Sequence, residues 1–133
     1  MAKAWKRLAK DVKGLDLEGH DEDWHETRKA AKKARYAAEA LTPVFGDPAK
    51  ALATQVERVT ELLGEHQDAA VAAETLRELA GRRGVGGTTG FALGLLHGLQ
   101  RDEIRAARAE LVKIWPDVSR SRWRRWLSGS ANS

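Results

Sequence analysis

The stretch from Trp24 to Leu41 constrains the fold most, because its residues separate by chemistry with the period of an α-helix. At about 100° per residue, one side of such a helix carries Ala30, Ala31, Ala34, Ala37, Ala38 and Leu41. The opposite side carries His25, Arg28, Lys29, Lys32, Arg35, Tyr36 and Glu39, with Lys33 at its edge. Small side chains permit close approach, so the pattern predicts a helix packed tightly against its neighbours.

The polar face of this helix carries five cations over residues 28–35 with no acid among them. Like charges three or four residues apart destabilise a helix by a few tenths of a kcal/mol per pair. Most charged helix faces are simply solvated, but here the acids, Glu26 and Glu39, occur only at the two ends. Both His25 and Tyr36 can donate hydrogen bonds to phosphate oxygens while arginine and lysine neutralise the charge. The face therefore favours an anionic ligand, and a string of phosphates fits it best.

Composition narrows the functional classes. The 133 residues suffice for one domain, and the net charge of +4 points to a polyanionic partner. The chain has no cysteine, which excludes disulfides, thiolate zinc sites and cysteine nucleophiles. No apolar run approaches the roughly 20 residues that a membrane span needs, and no secretory signal is recognisable. We therefore expect a soluble, cytoplasmic protein.

The other sequence signals are helical as well, and no segment is typical of a strand. We expect further helices from Ala2 to about Val12, Asp47 to Leu63, about Gln67 to Leu79 and about Thr89 to Trp115. Asp21 or Asp23 is expected to cap the basic helix and Asp47 the next one. A break or bend at Leu63-Gly64, a flexible loop from Gly81 to Gly90 and a stop at Pro116 are also expected. The sequence thus predicts one all-α domain over residues 1–133, an antiparallel helical bundle, with a disordered tail at 128–133.

Three further features have plain structural explanations. His66 and Asp68 lie just after the expected break, where they would cap a helix or meet its dipole. The four histidines lack metal-ligand spacing, so we expect no metal site. The glycine-rich stretch 84–90 lacks the preceding strand and the lysine of a nucleotide-binding loop, and is interpreted as a linker.

The stretch from Arg120 to Trp126 mixes four arginines with two tryptophans. Such a mixture suits single-stranded nucleic acid or an anionic membrane surface. The segment is short and lacks a wide apolar face. We therefore expect a docked terminal helix whose tryptophans complete the core while its arginines face solvent.

Two motifs together resemble a known family, the CHAD or conserved histidine α-helical domain. The first is the run His25-x-x-Arg28-Lys29-x-x-Lys32-x-x-Arg35-Tyr36-x-x-Glu39, and the second is Leu63-Gly64-Glu65-His66-Gln67-Asp68-Ala69-Ala70-Val71. The resemblance is strongest over residues 24–80. Ala34 and Trp24 depart from the leucines common in the family, and both are interpreted as packing changes.

The resemblance implies non-enzymatic binding of inorganic polyphosphate in a basic cavity, and it extends the cytoplasmic expectation to polyphosphate granules. We expect no cofactor and no metal site built by the chain, while a metal ion that accompanies bound phosphate stays open. By position, the binding residues would be His25, Arg28, Lys29, Lys32, Arg35 and Tyr36. Lys33, at the edge of the basic face, is expected to join them. Glu39, His66 and Asp68 would have structural or supporting roles.

Family members consist of two similar four-helix halves related by a pseudo-twofold axis, each with one histidine-bearing basic helix. This chain has one such helix and resembles the C-terminal half. We therefore expect either that an N-terminal half-domain is missing or that two copies form a homodimer through the surface beside the basic helix.

Three other functions stay open from the residues themselves. Nucleic-acid binding is supported by a pI near 9.6, although helices that read bases usually carry Asn, Gln or Ser among their cations. A phosphoryl-transfer or hydrolysis accessory enzyme would use His25 as acid or base, but that chemistry normally needs acidic metal ligands. The third alternative is a half-bundle that has a structural or oligomerising role and binds no ligand of its own.

Overall fold

The computed structural model describes residues 1–131, and over that range the chain is helical with no strand. The elements are α1 (Ala2–Lys13), α2 (Asp21–Phe45), α3 (Asp47–Ala80), α4 (Gly87–Val118), a 3₁₀ helix (Ser121–Arg124) and α5 (Arg125–Ala131). The all-α bundle expected from the sequence is confirmed.

The three long helices pack side by side, with α3 in contact with both α2 and α4. Only Gly46 separates α2 from α3, and its φ of 69° lies in the left-handed region that glycine adopts without strain. This sharp reversal makes α2 and α3 antiparallel. The alanine side of α2 is buried as expected, with Ala31, Ala34 and Ala38 inaccessible to solvent. Because these side chains are small, the two helix backbones lie close together.

The expected break at Leu63-Gly64 is wrong, since α3 is one continuous helix of 34 residues. A glycine inside a helix costs only about 1 kcal/mol relative to alanine. Leu63 and His66, on either side of it, are both buried. Tertiary packing of these neighbours therefore keeps the helix intact through Gly64.

The expected stop at Pro116 is also wrong, because α4 continues to Val118. Proline removes one hydrogen bond, the one to the carbonyl of Val112 four residues earlier. Both Pro116 and Val112 are exposed, so water can satisfy that carbonyl. Val118 is fully buried, and its packing favours continuation of the helix.

The helix starts also differ from expectation. His20 and Gly46 occupy the N-cap positions of α2 and α3, and neither makes a side-chain cap hydrogen bond. The acids Asp21, Asp23 and Asp47 lie inside the first turns, where they interact with the positive end of the helix dipole. The glycine-rich connection is shorter than expected, because α4 already begins at Gly87.

The arginine–tryptophan segment is docked, as the sequence analysis favoured. Trp123 and Trp126 pack against the core, and their indole nitrogens donate to the carbonyls of Asp117 and Trp123 at 3.0 and 2.7 Å. Arg124 departs from the expectation, since its guanidinium lies 4.3 Å above the ring of Trp5 instead of in solvent. Helix α5 covers part of the tail expected to be disordered, and residues 132–133 of that expectation lie outside the described residues.

Candidate functional site

A polar groove of about 530 Å³ runs between α2 and α3. One wall belongs to the basic helix and the other to the middle of α3. Its lining residues are Arg28, Lys32, Arg35 and Tyr36 from α2, and Thr60, Glu61, Gly64, Glu65 and Asp68 from α3. The groove therefore brings together four of the seven residues expected to bind an anion.

The cations of α2 divide into two rows. Arg28, Lys32 and Arg35 line the groove and are half-buried. Lys29 and Lys33 are exposed and lie outside the groove lining. Lys29 forms an ion pair with Glu26, with 2.9 Å between Nζ and Oε1, and this pair lowers the pKa of Glu26 and raises the pKa of Lys29. The structure thus separates Lys29 and Lys33 from the other cations expected at the site.

Arg35 is held in place from three directions. Its Nε donates to Glu39 Oε1 at 3.0 Å, and its Nη1 donates across the groove to Thr60 Oγ1 at 3.2 Å. Its guanidinium also lies 5.5 Å from the centre of the Tyr36 ring. Glu39 therefore helps to fix the direction of an arginine on the groove wall.

Arg28 crosses toward α3 at Gly64. A Cβ atom at position 64 would lie 3.8 Å from both Nε and Nη2 of Arg28. That distance is ordinary contact, so glycine leaves room for the guanidinium and a larger side chain would displace it. Nε of Arg28 is buried and has no hydrogen-bond partner among the described residues. Arg28 thus lines the groove and carries an N–H group that no described residue uses.

His25 lies one turn before Arg28 on the same side of α2, and it is half-buried. It is not part of the groove lining. Its Nδ1 is buried without a hydrogen-bond partner in the described part of the chain. The structure therefore places His25 beyond one end of the groove, where its imidazole still has an unused polar atom.

Three carboxylates on the opposite wall were missed by the sequence analysis as a group. Glu61, Glu65 and Asp68 follow one another at helical spacing on one side of α3. The signal was present in the sequence, but the break expected at Gly64 divided the row between two helices. No ion pair joins these acids to the cations of α2 within residues 1–131.

A buried cluster anchors the N-terminal end of α2. Trp24 stacks on His66 of α3, with 5.4 Å between ring centres, and Arg108 of α4 lies 4.8 Å from the centre of the Trp24 ring. Arg108 donates from Nε to His66 Nε2 at 3.0 Å and from Nη2 to Asp21 Oδ1 at 2.8 Å. His66 is thus a core residue and not a helix cap, which corrects the capping role expected for it.

The same cluster keeps His66 neutral. Burial and the positive charge of Arg108 lower the pKa of His66 from 6.5 to about 4. A neutral imidazole can accept the hydrogen bond from Arg108, whereas an imidazolium cannot. The cluster therefore fixes where α2 starts relative to α3 and α4, and so sets the register of the groove walls.

A second cavity of about 440 Å³ lies between α1 and α4. Its walls are mainly aliphatic and aromatic, including Leu15, Trp24, Leu111 and Trp115, and Lys13 is the charged residue among them. It offers few groups for recognising a polar ligand, so the α2–α3 groove is the better functional candidate.

Neither a metal centre nor a membrane span is found in the described range. No group of three or more His, Asp or Glu side chains there is placed to hold a metal ion. No helix in that range is long and apolar enough to cross a bilayer.

Comparison with known proteins connects this groove to a family. The CHAD domain matches residues 1–77, which include α1, α2 and every residue that lines the groove. The chain is similar to an uncharacterised protein found in two strains of Mycobacterium tuberculosis, with 30% identity over 115 residues that cover 81% of this chain and 21% of each relative. It thus spans about a fifth of the length of these curated relatives. No solved structure matches. The family match covers more than half of the chain, which therefore belongs to the CHAD domain family, a family generally associated with polyphosphate binding.

Proposed function

We propose that this chain binds inorganic polyphosphate along the α2–α3 groove, without catalysis. The observation that carries the proposal is the row of Arg28, Lys32 and Arg35 on one groove wall. None of these cations is paired with an acid of the opposite wall in the described range. Arg35 is paired with Glu39 of its own helix, whereas Arg28 and Lys32 make no ion pair within residues 1–131. The charge of Arg28 and Lys32 is therefore available to a ligand.

The shape of the cationic row favours an extended anion. From Arg28 to Tyr36 the row covers two turns of helix, about 12 Å at 1.5 Å per residue, and His25 extends it by another turn. A chain of phosphates can contact several of these groups at once through point charges and arginine hydrogen bonds. A single phosphate or a compact nucleotide would contact only part of the row.

The carboxylates opposite limit where the ligand can lie. Glu61, Glu65 and Asp68 place three negative charges against the three cations of the groove. A polyanion is repelled by that wall, so it is expected to follow the α2 side. Removal of one acid, as in Glu61→Gln, should therefore tighten binding of polyphosphate.

A titration calorimetry series tests the proposal. Long polyphosphate should bind more tightly than phosphate, pyrophosphate or ATP, and affinity should fall as salt rises because counterions are released. No phosphate should be released from the polymer during the titration. Equal affinity for short and long phosphates would contradict an extended site.

Charge reversal locates the site. Arg28→Glu should abolish binding with helix content unchanged, because the side chain faces the groove and not the core. His25→Ala should weaken binding by about 1–3 kcal/mol if it removes one charge-assisted hydrogen bond. Arg105→Glu is the matched control, since Arg105 is an exposed arginine of α4. Undiminished affinity in Arg28→Glu would move the site to the exposed arginines around Arg122.

Nucleic acid is the weaker candidate because the tryptophans near the C-terminus are already engaged. Trp123 is half-buried, and the guanidinium of Arg122 lies 4.4 Å from its ring centre. Binding of single strands depends on aromatic faces that are open to bases. A single-stranded oligonucleotide of matched charge should accordingly compete poorly with polyphosphate.

A further inference from the structure

Thr60 is a buried threonine of α3 and one of the residues that line the groove. Its hydroxyl takes part in two hydrogen bonds. Oγ1 donates to the carbonyl of Glu57 at 2.8 Å, and Nη1 of Arg35 donates to Oγ1 at 3.2 Å. An arginine side chain can only donate. The direction of both bonds is therefore fixed, because the hydroxyl proton goes to the Glu57 carbonyl and the oxygen accepts from Arg35.

The bond with Arg35 sets Thr60 apart from other helical threonines of the chain. Thr27, Thr42 and Thr54 each donate to the backbone carbonyl four residues earlier, at 2.9, 3.1 and 3.0 Å. Such bonds are common for threonine in a helix and need no functional reason. Within residues 1–131, Thr60 alone among these four also accepts from a side chain. The contact with Arg35 is thus an addition that a helical threonine does not require.

Arg35 is fixed at two of the three nitrogen atoms of its guanidinium. Nε donates to Glu39 on its own helix and Nη1 donates to Thr60 on the opposite helix, so the plane of the group is held at two points. Nη2 makes no hydrogen bond to the described part of the chain. Arg35 thus keeps a pair of donors whose direction is set before a ligand arrives. Such preorganisation lowers the ordering cost of binding.

The two residues that hold Arg35 differ in burial and in charge. Glu39 is exposed, and a surface ion pair of this kind contributes little. Its carboxylate also offsets the charge of the arginine, which weakens the attraction of an anion. Thr60 is 6% exposed and uncharged, so it holds the guanidinium without reducing its charge. The direction of Arg35 therefore depends mainly on Thr60.

We propose that Thr60 is a positioning residue for polyphosphate, which acts by holding the guanidinium of Arg35 in a fixed direction. This inference rests on the proposed polyphosphate site. Arg28 and Lys32, which make no ion pair in the described range, attract the ligand through their charge. Arg35 instead supplies directed hydrogen bonds to phosphate oxygens, and Thr60 sets their direction.

Titration calorimetry with long polyphosphate measures this role. Thr60→Val removes the acceptor at nearly constant volume and should raise the dissociation constant roughly three- to tenfold, as expected for one lost hydrogen bond. Thr60→Ser keeps the hydroxyl and should bind within about twofold of the wild type. The matched control is Thr54→Val, since Thr54 lies on the same helix outside the groove lining. Equal affinities of Thr60→Val and the wild type would overturn the proposal.

A double-mutant cycle shows whether Thr60 acts through Arg35. In the Arg35→Met background, Thr60→Val should have no further effect on the dissociation constant. The same loss in both backgrounds would show that Thr60 acts in another way and would overturn the proposal. Glu39→Gln removes a charge and keeps an acceptor, so affinity should be unchanged or tighter. A loss as large as that of Thr60→Val would make Glu39 the main anchor and contradict the proposal.

Nuclear magnetic resonance of the arginine side chains separates this inference from the proposed function, because it needs no polyphosphate. The order parameter of the Arg35 Nε–H group should fall in Thr60→Val and stay unchanged in Thr54→Val. Equal mobility of Arg35 in all three proteins would overturn the positioning role even if the wild type binds polyphosphate. A wild type that binds no polyphosphate would overturn the proposed function, and the positioning role with it, even if Arg35 loosens as expected.

Discussion

Two arginines, Arg108 in the buried cluster and Arg28 in the groove, show how similar side chains take different roles. Arg108 is 3% exposed and donates to Asp21, His66 and the carbonyls of Leu17 and Gly19. Arg28 is half-buried, and its Nε has no partner among the described residues. Each lies near carboxylates, so composition alone does not separate them.

The difference teaches that saturation of hydrogen bonds distinguishes a structural arginine from one available to a ligand. A guanidinium has five N–H donors. Arg108 makes four hydrogen bonds inside the protein, and its removal leaves the buried Nε2 of His66 without a donor. Arg28 keeps N–H groups that can donate hydrogen bonds to a phosphate oxygen. The cluster should therefore control stability, and the groove should control binding.

The largest expected effect compares Arg108→Met with Arg28→Met. Arg108→Met should lower the free energy of unfolding by about 3–5 kcal/mol, because it removes four hydrogen bonds made by a charged donor and leaves the buried Nε2 of His66 without a partner. Arg28→Met should change it by less than about 1 kcal/mol. Urea denaturation measures both values. Similar losses in the two variants would remove the distinction between cluster and groove.

The pH dependence of stability sharpens the comparison next. His66 has a folded-state pKa of about 4 against 6.5 for an unperturbed histidine. Above pH 6.5 the imidazole is neutral in both the folded and the unfolded chain, so its lowered pKa does not change the free energy of unfolding. As pH falls from 6.5 towards 4, the free energy of unfolding decreases because the unfolded chain binds the proton first. The loss should reach about 3 kcal/mol.

The control for this effect is His66→Gln, which can still accept from Arg108 but does not titrate. Its free energy of unfolding, measured by denaturant titration at several pH values, should fall less steeply between pH 6.5 and 4 than that of the wild type. Equal slopes would mean that other groups, such as the carboxylates, cause the pH dependence.

A somewhat smaller effect concerns the groove. Polyphosphate at 100 times its dissociation constant should stabilise the wild-type chain by about 2.7 kcal/mol, because it binds only the folded state. Differential scanning calorimetry should show the corresponding rise in Tm, and Arg28→Met should show almost none. A full rise in Arg28→Met would place the ligand outside the groove.

The smallest effect is expected at Gly64, where the two walls meet. Gly64→Ala should raise the free energy of unfolding by about 0.5–1 kcal/mol through helix propensity. Polyphosphate affinity should be unchanged, because the added Cβ only contacts Arg28. Gly64→Leu is the counterpart: it should displace Arg28 and weaken binding. Calorimetric titration of both variants distinguishes these outcomes.

Helical signals along the whole chain predicted the fold class, and the periodicity of α2 predicted the residues of one groove wall. Alternation of alanines with cations set the buried side of the helix, and Arg28, Lys32, Arg35 and Tyr36 do lie together on one wall. Local helical spacing could not separate Lys29 and Lys33 from this row. Which side of the basic face meets α3 depends on helix packing, which the spacing within one helix does not reveal.

The features that the sequence did not predict depend on contacts between distant residues. Gly64 and Pro116 are local helix breakers, yet burial of Leu63 and Val118 keeps their helices continuous. Arg108 resembles any other arginine of a charged helix, and only the fold brings it to His66, 42 positions away along the chain. Local rules therefore fail where tertiary packing outweighs them.

The central claim is that polyphosphate lies in the groove and not on the basic surface generally. Lys32 and Lys33 are neighbouring lysines with the same charge, and only Lys32 lines the groove. The most direct test is the polyphosphate dissociation constant of Lys32→Glu and Lys33→Glu at one salt concentration. Our account predicts a loss of roughly tenfold or more for Lys32→Glu, equivalent to about 1.4 kcal/mol, and a clearly smaller loss for Lys33→Glu. Equal losses in the two variants would contradict it.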